Sequence, residues 1–234
     1  MSALHSHFND AGEDELRGRT GRAGLLGYAE HILERSRPPQ GASILDVGCG
    51  DGAVLRTVKE LRPDLHCTGV DFAEKQIAKA KSPAGQGLEF YVANLLDGTL
   101  EVGRFDRIYS FGVIQYFKEQ QFLRICRMLR SSLLPGGTQT HCSIPDLRKR
   151  ALHIADFLVN VTGPGALRTW LLFAKLTLVD VKRTLTDDVS YGADSQYHDA
   201  EKVARALKEE FAVTVLRPSD SWYRFDLQLV PQAR

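Results

Sequence analysis

The stretch "ASILDVGCGDGAVLRTVKELRPDLHCTGVDFAEKQIAKAKS", residues 42–82, contains one pattern twice: a short apolar strand followed by a helix. The first strand turns into its helix through three glycines, Gly48, Gly50 and Gly52, and Asp71 ends the second strand. Glycine tolerates positive φ and lets a ligand approach the backbone, while a helix N-terminus offers unpaired N–H groups. Because neighbouring parallel strands bring Asp71 beside this turn, the stretch predicts a nucleoside site in which Asp71 accepts both ribose hydroxyls.

Strands and helices continue to alternate as far as residue 144. Strands are predicted at residues 43–47, 66–71, 88–94, 105–111 and 138–144, and helices at 53–62, 73–81 and 119–133. A helix at 24–36 precedes them, and a helix at 200–210 and two strands at 211–217 and 223–230 follow. Short apolar strands that alternate with helices require a parallel sheet covered on both faces. Right-handed crossovers then give a doubly wound, Rossmann-like α/β fold with an antiparallel strand pair at its end.

The regular alternation breaks between residues 145 and 198. This segment contains two predicted helices, at 147–161 and 166–185, and a polar loop that carries Tyr191. About fifty residues are too many for a simple connection, so we expect a lid or a contact surface. The chain is accordingly divided into an N-terminal helical cap (1–41), a cofactor-binding core (42–144), a helical insertion (145–198) and a C-terminal helix with two strands (199–234).

Composition and charge exclude several classes of protein. The net charge of +1 supplies no strong field for a nucleic-acid backbone or an anionic bilayer, so neither is an expected partner. The most apolar stretch, residues 166–183, is short and interrupted by Lys175, which argues against membrane insertion. The four cysteines form no CxxC pair, and the N-terminus lacks the apolar core of a signal peptide. Both features predict a cytoplasmic protein with reduced cysteines and no zinc site.

Two kinds of nucleoside cofactor suit the glycine turn. A dinucleotide places its pyrophosphate at the helix N-terminus and is typically bound by the spacing GxGxxG, as in nicotinamide-dependent dehydrogenases. This chain has GxGxG instead, and Asp46 precedes the first glycine by two residues. An extra negative charge opposes a pyrophosphate but favours a ligand that carries an ammonium and a sulfonium. The turn therefore favours S-adenosylmethionine over a dinucleotide, with a ligand-free βα turn as the remaining alternative.

The segment that contains this turn resembles the class I S-adenosylmethionine-dependent methyltransferases. "ILDVGCGDG" is similar to their first motif and "GVDFAEKQIAKAK" to their second, and the resemblance covers residues 42–144, with weaker agreement at 211–230. It implies a seven-stranded sheet that ends in an antiparallel hairpin. It also implies that Asp46, Gly48, Cys49 and Gly50 hold the methionine end of the cofactor, that Asp71 holds the ribose, and that Phe72 lies against the adenine.

Later motifs depart from the family pattern. Where the family has Gly-Asp after the third strand, this chain has Ala93-Asn94, and the amide oxygen of Asn94 can still accept from the adenine amino group. The resemblance also implies that the Leu95 backbone N–H faces the ring, and that Ser110 and Phe111 face the methionine moiety. Gln115 and Tyr116 replace the histidines that some relatives direct toward substrate, so no general base is evident.

Four residues remain as candidate bases for the methyl acceptor. They are Tyr116, His141, Tyr191 and His198. His141 lies within a predicted strand, where a structural histidine is an equally good interpretation, and His198 lies where the insertion rejoins the core. Asp187 and Asp188 could ligate magnesium, but no third ligand is evident, so we expect a solvated loop and no metal.

The sequence thus predicts an enzyme that transfers a methyl group from S-adenosylmethionine to an O or N atom of a small polar metabolite, such as a sugar or a secondary-metabolism intermediate. Proximity and orientation supply most of the catalysis in such a reaction. The alternative is a non-catalytic protein that binds the cofactor or another nucleoside. The apolar segment "TWLLFAKLTLVDV", residues 169–181, motivates this alternative, because such a helix can bury itself against a second copy of the chain in a homodimer.

Overall fold

A computed structural model describes residues 21–82, 87–150, 190–191, 195–217 and 223–232 of the chain. The helices are α1 (Arg22–Ser36), α2 (Ala53–Leu61), α3 (Glu74–Ala80), α4 (Glu119–Arg130) and α5 (Ala200–Leu207). The strands are β1 (Ser43–Val47), β2 (His66–Asp71), β3 (Leu88–Val92), β4 (Phe105–Phe111), β5 (Leu133–Pro145), β6 (Ser190–Tyr191), β7 (Ser195–Gln196), β8 (Phe211–Leu216) and β9 (Arg224–Pro231).

Seven of these strands form one sheet, in the order β3-β2-β1-β4-β5-β9-β8. Strands β1 to β5 are parallel, and β9 runs antiparallel to both β5 and β8. This arrangement confirms the predicted doubly wound fold with its C-terminal antiparallel hairpin. The strand order reverses between β1 and β4, and in open α/β sheets ligands bind at the carboxyl ends of the strands beside such a reversal.

Helices cover both faces of the sheet, because each buried strand alternates apolar side chains between two cores. On one face, α1, α2 and α3 contribute residues such as Ile32, Leu55 and Ile77 to a core that includes Ile44 of β1. On the other face, α4 and α5 pack against residues of β1, β4 and β9. Asp46 lies two residues after Ile44 and so points toward the first face, at its carboxyl edge.

The sheet departs from the prediction mainly at the start of β5. This strand begins at Leu133 rather than at residue 138, because Leu133 pairs with Phe105 ahead of the Pro135–Gly137 segment that was predicted as a turn. A register shift between Phe105 and Arg107 accommodates the additional residues, and Gly136 adopts a φ of 77°. An irregular β-ladder of this kind carries no alternating pattern that sequence reasoning can detect.

The insertion leaves and rejoins the core at one place. The Leu147 N–H donates to the His198 carbonyl and the His198 N–H donates to the Pro145 carbonyl, both at 2.9 Å. The Asp146 carboxylate, which is buried, pairs with Arg217 at 2.6 Å. Residues 147–149 form a single 3₁₀ turn, and residues 151–161 of the predicted helix 147–161, like the helix 166–185, lie outside the described residues. Among the helices that the structure describes, none is long and apolar enough to cross a membrane.

Candidate active site

The glycine turn between β1 and α2 is built from left-handed backbone. Gly48, Gly50 and Gly52 have φ values of 80°, 54° and 75°, which side chains with a Cβ rarely adopt. A Cβ at Gly48 would lie 2.5 Å from a Val113 methyl group, whereas a Cβ at Gly50 would meet nothing within 4 Å. The turn is therefore packed tightly at its first glycine and open at its second, as a turn that receives a ligand requires.

Asp71, at the end of the neighbouring strand β2, is hydrogen-bonded to this turn. Its Oδ2 accepts the Gly50 N–H and its Oδ1 accepts the Ala73 N–H, both at 2.9 Å. Each carboxylate oxygen has a second lone pair, so both can also accept from a hydroxyl of a bound ligand. Burial raises the pKa of the Asp71 carboxyl, although hydrogen bonds from Ala73, Gly50 and Phe72 oppose that shift. The turn and the acid thus lie side by side, as the sequence pattern predicts.

The backbone N–H groups of the turn are already occupied. Those of Gly48 and Cys49 donate to the Val70 carbonyl at 2.7 and 3.0 Å, and that of Gly50 donates to Asp71. At the start of α2, the Ala53 N–H donates to the Asp51 carboxylate at 3.1 Å. An anion such as pyrophosphate needs these donors free. The carboxyls of Asp46 and Asp71 beside the turn instead suit a cationic group.

Asp46 strengthens this preference for a cation. Its side chain is almost fully buried, and burial, with a further contribution from the charge of Asp71, raises the pKa of its carboxyl to about 8. The Tyr109 hydroxyl lies near the carboxyl, where it opposes the shift, but the two are not aligned as a hydrogen bond. A bound cation stabilises the ionised form of a buried carboxyl. This part of the site therefore gains from a positively charged ligand.

The adenine side of the predicted site also lies at this edge. The Ala93 N–H donates to the Asp71 carbonyl at 2.9 Å, which places Asn94 next to the end of β2. The Asn94 Oδ1 accepts the Leu96 N–H at 3.1 Å, and its Nδ2 donates to Asp97 at 2.9 Å. One lone pair of Oδ1 remains for a ligand donor. Leu95 is buried beneath this turn, and Phe72 is partly exposed beside it.

Ser110 and Phe111 point to opposite faces of the sheet. Ser110 is fully buried and its Oγ lies 2.9 Å from the His141 Nδ1, on the face covered by α4. Phe111 lies on the face of α1, where its ring centroid is 4.5 Å from that of Tyr28. Of the two residues predicted to face the methionine moiety, only Phe111 brings its side chain to the face of Asp46.

Both candidate histidines lie inside the protein. His141 has no exposed surface and contacts Ser110, Gln139 and Cys126, and 1% of His198 is exposed. Burial lowers the pKa of each imidazole to about 4. This placement favours the structural interpretation of His141 and gives His198 no direct access to a substrate. Tyr116 is partly buried in the 3₁₀ turn after β4, and the side chain of Tyr191 lies outside the described residues, as do Asp187 and Asp188.

Sequence reasoning missed a cluster formed by α1 and β9. The His31 Nε2 lies 2.7 Å from the Asp226 Oδ2, which also accepts the Arg35 Nε–H at 3.1 Å. His31 and Asp226 are separated by 195 positions, so no spacing connects them. Within the described part of the chain, they form with Cys142 a group whose ligand atoms lie within 4.8 Å of one another. Because the Arg35 guanidinium shares the Asp226 oxygen, the group does not suit a metal ion.

Known proteins resemble the chain in sequence and in fold. Residues 44–137 match the model of a methyltransferase domain family. The bovine (Bos taurus) "Probable tRNA methyltransferase 9B" is 31% identical over 45% of this chain and 22% of its own length. The "Ubiquinone biosynthesis O-methyltransferase" of Maricaulis maris (strain MCS10) is 31% identical over 59% of this chain and 52% of its own. The chain thus spans about half or less of these relatives.

A solved structure agrees over nearly the whole chain. The N-methyltransferase NodS of Bradyrhizobium japonicum WM9, solved with S-adenosyl-L-homocysteine, superposes with a TM-score of 0.61 at 14% identity and covers 99% of this chain and 98% of its own. At this identity the likeness concerns the fold. Residues 44–137 thus match a methyltransferase domain family, and the sheet order and the superposition give the chain the fold of an S-adenosylmethionine-dependent methyltransferase.

Proposed function

We propose that this protein transfers the methyl group of S-adenosylmethionine to an oxygen or nitrogen atom of a small polar metabolite. One observation carries the proposal: the N–H groups of Gly48, Cys49 and Gly50 are occupied, and the buried Asp46 and the partly buried Asp71 lie at the same edge of the sheet. Such a site accepts a nucleoside that carries positive charge and disfavours one that carries a pyrophosphate.

The residues present fit this cofactor. The Asp71 carboxylate keeps acceptor capacity for a ribose hydroxyl beyond its backbone hydrogen bonds, and Asn94 Oδ1 has a lone pair for the adenine amino group. The Asp46 carboxyl complements the ammonium of the methionine end. When bound, the sulfonium supplies an electrophilic methyl group and departs as a neutral thioether. The protein's own part is to orient the acceptor toward that methyl group and to exclude water.

In this proposal, the side of the site that receives the methyl acceptor is assigned to α1 and to the insertion. The N-terminal cap is described from residue 21 onward, and most of the insertion lies outside the described residues. The backbone hydrogen bonds that join His198 to Pro145 and to Leu147 support this assignment, because they hold both ends of the insertion beside the carboxyl end of β5. The near-neutral charge of the chain favours a small acceptor over a nucleic acid, which a basic surface would have to attract.

Calorimetric titration with S-adenosylmethionine, S-adenosylhomocysteine and NAD tests the cofactor assignment. We expect binding of the first two at submillimolar concentration and no binding of NAD. Methyl-labelled S-adenosylmethionine with a panel of phenols, sugars and amines then tests the reaction. Labelled product from any member supports the enzyme. Cofactor binding without product across the panel would favour the cofactor-binding alternative. If tRNA, supplied as a separate acceptor, gave the only labelled product, the acceptor would be a nucleic acid and not a small metabolite.

A further inference from the structure

The described histidines differ in their access to the proposed site. His141 and His198 are buried in the core beneath the sheet, and His66 begins β2, at the opposite edge. His31 is the one described histidine that lies on the Asp46 face and also has a partly exposed side chain, with 18% of its surface accessible. Its ring meets the ring of Phe111 edge-on, with centroids 5.9 Å apart. His31 therefore lies at the carboxyl end of β4, next to the proposed site.

Asp226 holds this imidazole in one orientation. The carboxylate is fully buried, and its Oδ1 accepts the Ser143 N–H at 2.8 Å while its Oδ2 faces both His31 and Arg35. An ionised carboxylate only accepts hydrogen bonds, so the His31 Nε2 carries the proton. The Nδ1 then bears the lone pair of the neutral ring. A histidine fixed by a buried carboxylate in this way is arranged to accept a proton at its other nitrogen.

We infer that His31 is the general base that takes the proton from the methyl acceptor, with Asp226 as its positioning residue. The inference rests on the proposed function. As a lone pair of the acceptor oxygen or nitrogen bonds to the methyl carbon, the S–CH₃ bond breaks and its electron pair stays on sulfur. The acceptor's proton passes to the Nδ1 of His31, which becomes an imidazolium that Asp226 stabilises. The partly exposed ring returns the proton to solvent after the transfer.

Two other roles for the cluster are weaker. As a purely structural tie between α1 and β9, the cluster would need only Arg35, which already bonds to Asp226. As a metal site with Cys142, it would place a cation against the Arg35 guanidinium on the same oxygen. The charged and titratable groups that face or adjoin His31 are Asp226 of β9, Cys142 of β5, and Arg35 and Tyr28 of its own helix.

The first test needs no acceptor. Diethyl pyrocarbonate acylates accessible, unprotonated imidazole nitrogens, and peptide mapping by mass spectrometry separates the histidines of the full chain. The exposed His66 and the buried His141 serve as internal references. We expect His31 to be acylated within about tenfold of the His66 rate, since local opening is needed only for buried groups. Acylation of His31 as slow as that of His141 would overturn the inference. So would stoichiometric binding of zinc chloride that disappears in Cys142→Ser.

The second test is kinetic and uses His31→Gln, whose amide can still donate to Asp226. With a hydroxyl acceptor from the panel, kcat should fall about 100-fold, within the usual contribution of a general base. The wild-type rate should rise with pH across the range in which an imidazole loses its proton, and this rise should be absent from the variant. Unchanged thermal stability and S-adenosylhomocysteine binding separate this effect from misfolding, and His66→Gln is the matched control. A variant with wild-type kcat and pH profile would overturn the inference. A panel without product counts against the proposed function itself, whereas product formation with wild-type kcat in His31→Gln counts against the inference alone.

Discussion

The two halves of the proposed site are assembled in different ways. The cofactor half joins the turn after β1 to the end of β2, and its main contact, between Gly50 and Asp71, spans 21 positions of one βαβ unit. The acceptor half joins α1 to β9, and its main contact, between His31 and Asp226, spans 195 positions. A local site leaves a motif in the sequence. A site assembled from the two ends of the chain depends on the completed sheet and leaves none.

The cofactor half also differs from the closed core in what burial does to its ionisable groups. Burial raises the pKa of Asp46 to about 8 and lowers those of His141 and His198 to about 4. In both cases burial favours the neutral form of the group. The histidines lie in a closed core and remain neutral there, whereas Asp46 lies at an edge where a cation can restore its charge. The difference indicates which buried groups are available to a ligand.

The largest effect should come from adding one methyl group to the glycine turn. In Gly48→Ala the new Cβ overlaps Val113 at 2.5 Å on a backbone with φ of 80°. We expect cofactor affinity to fall by about 100-fold or more and the unfolding free energy to fall by about 1–3 kcal/mol. Calorimetric titration and urea unfolding measure the two.

Gly27→Ala is the matched control for this substitution. Gly27 lies in α1 with nothing within 4 Å of its would-be Cβ, so alanine there should leave binding unchanged and slightly stabilise the helix. Equal effects of the two substitutions would remove the distinction between the cofactor half and the rest of the fold.

Acid should destabilise the protein through its buried histidines. Their folded pKa values lie below the ordinary value, so the stability they contribute is present above pH 6.5 and is lost as the pH falls toward 4. Each histidine accounts for about 3 kcal/mol over this window. Asp46, whose folded pKa is raised, acts in the opposite sense and offsets part of the loss. Urea unfolding at several pH values measures the slope.

The Asp46→Asn variant separates the two contributions. Without the carboxyl, the unfolding free energy should fall more steeply between pH 6.5 and 4, because Asp46 then no longer offsets the histidines. The same slope in the variant and the wild type would mean that Asp46 ionises normally in the folded protein.

Asp71→Ala should weaken the cofactor half without touching the acceptor half. The variant loses the hydrogen bonds to the ribose and the tie to Gly50, so binding of S-adenosylhomocysteine should weaken by about 1.5–3 kcal/mol. Glu60→Ala is the matched control, since Glu60 is exposed and forms a surface ion pair with Arg22. Unchanged affinity in Asp71→Ala would show that the ribose lies elsewhere.

Much of the fold and the cofactor half could be predicted from the sequence. Strands β1, β2 and β4 have the predicted bounds, because short apolar runs bounded by turn residues are local signals. The Leu133–Gly137 part of β5 was mistaken for a turn, since its pairing with β4 is irregular. The direction of Ser110 and the burial of His198 depend on packing by α4, which the sequence of either segment does not reveal.

The central claim is that the glycine turn, Asp46 and Asp71 together receive an adenosyl group that carries positive charge. Calorimetric titration of the protein with S-adenosylmethionine at about pH 7, in buffers of different ionisation enthalpy, tests it most directly. Asp46 is mainly protonated at that pH, and the cation should ionise it, so binding should release close to one proton in the wild type and none in Asp46→Asn. The absence of binding, or binding with the same proton release in both proteins, would contradict the claim.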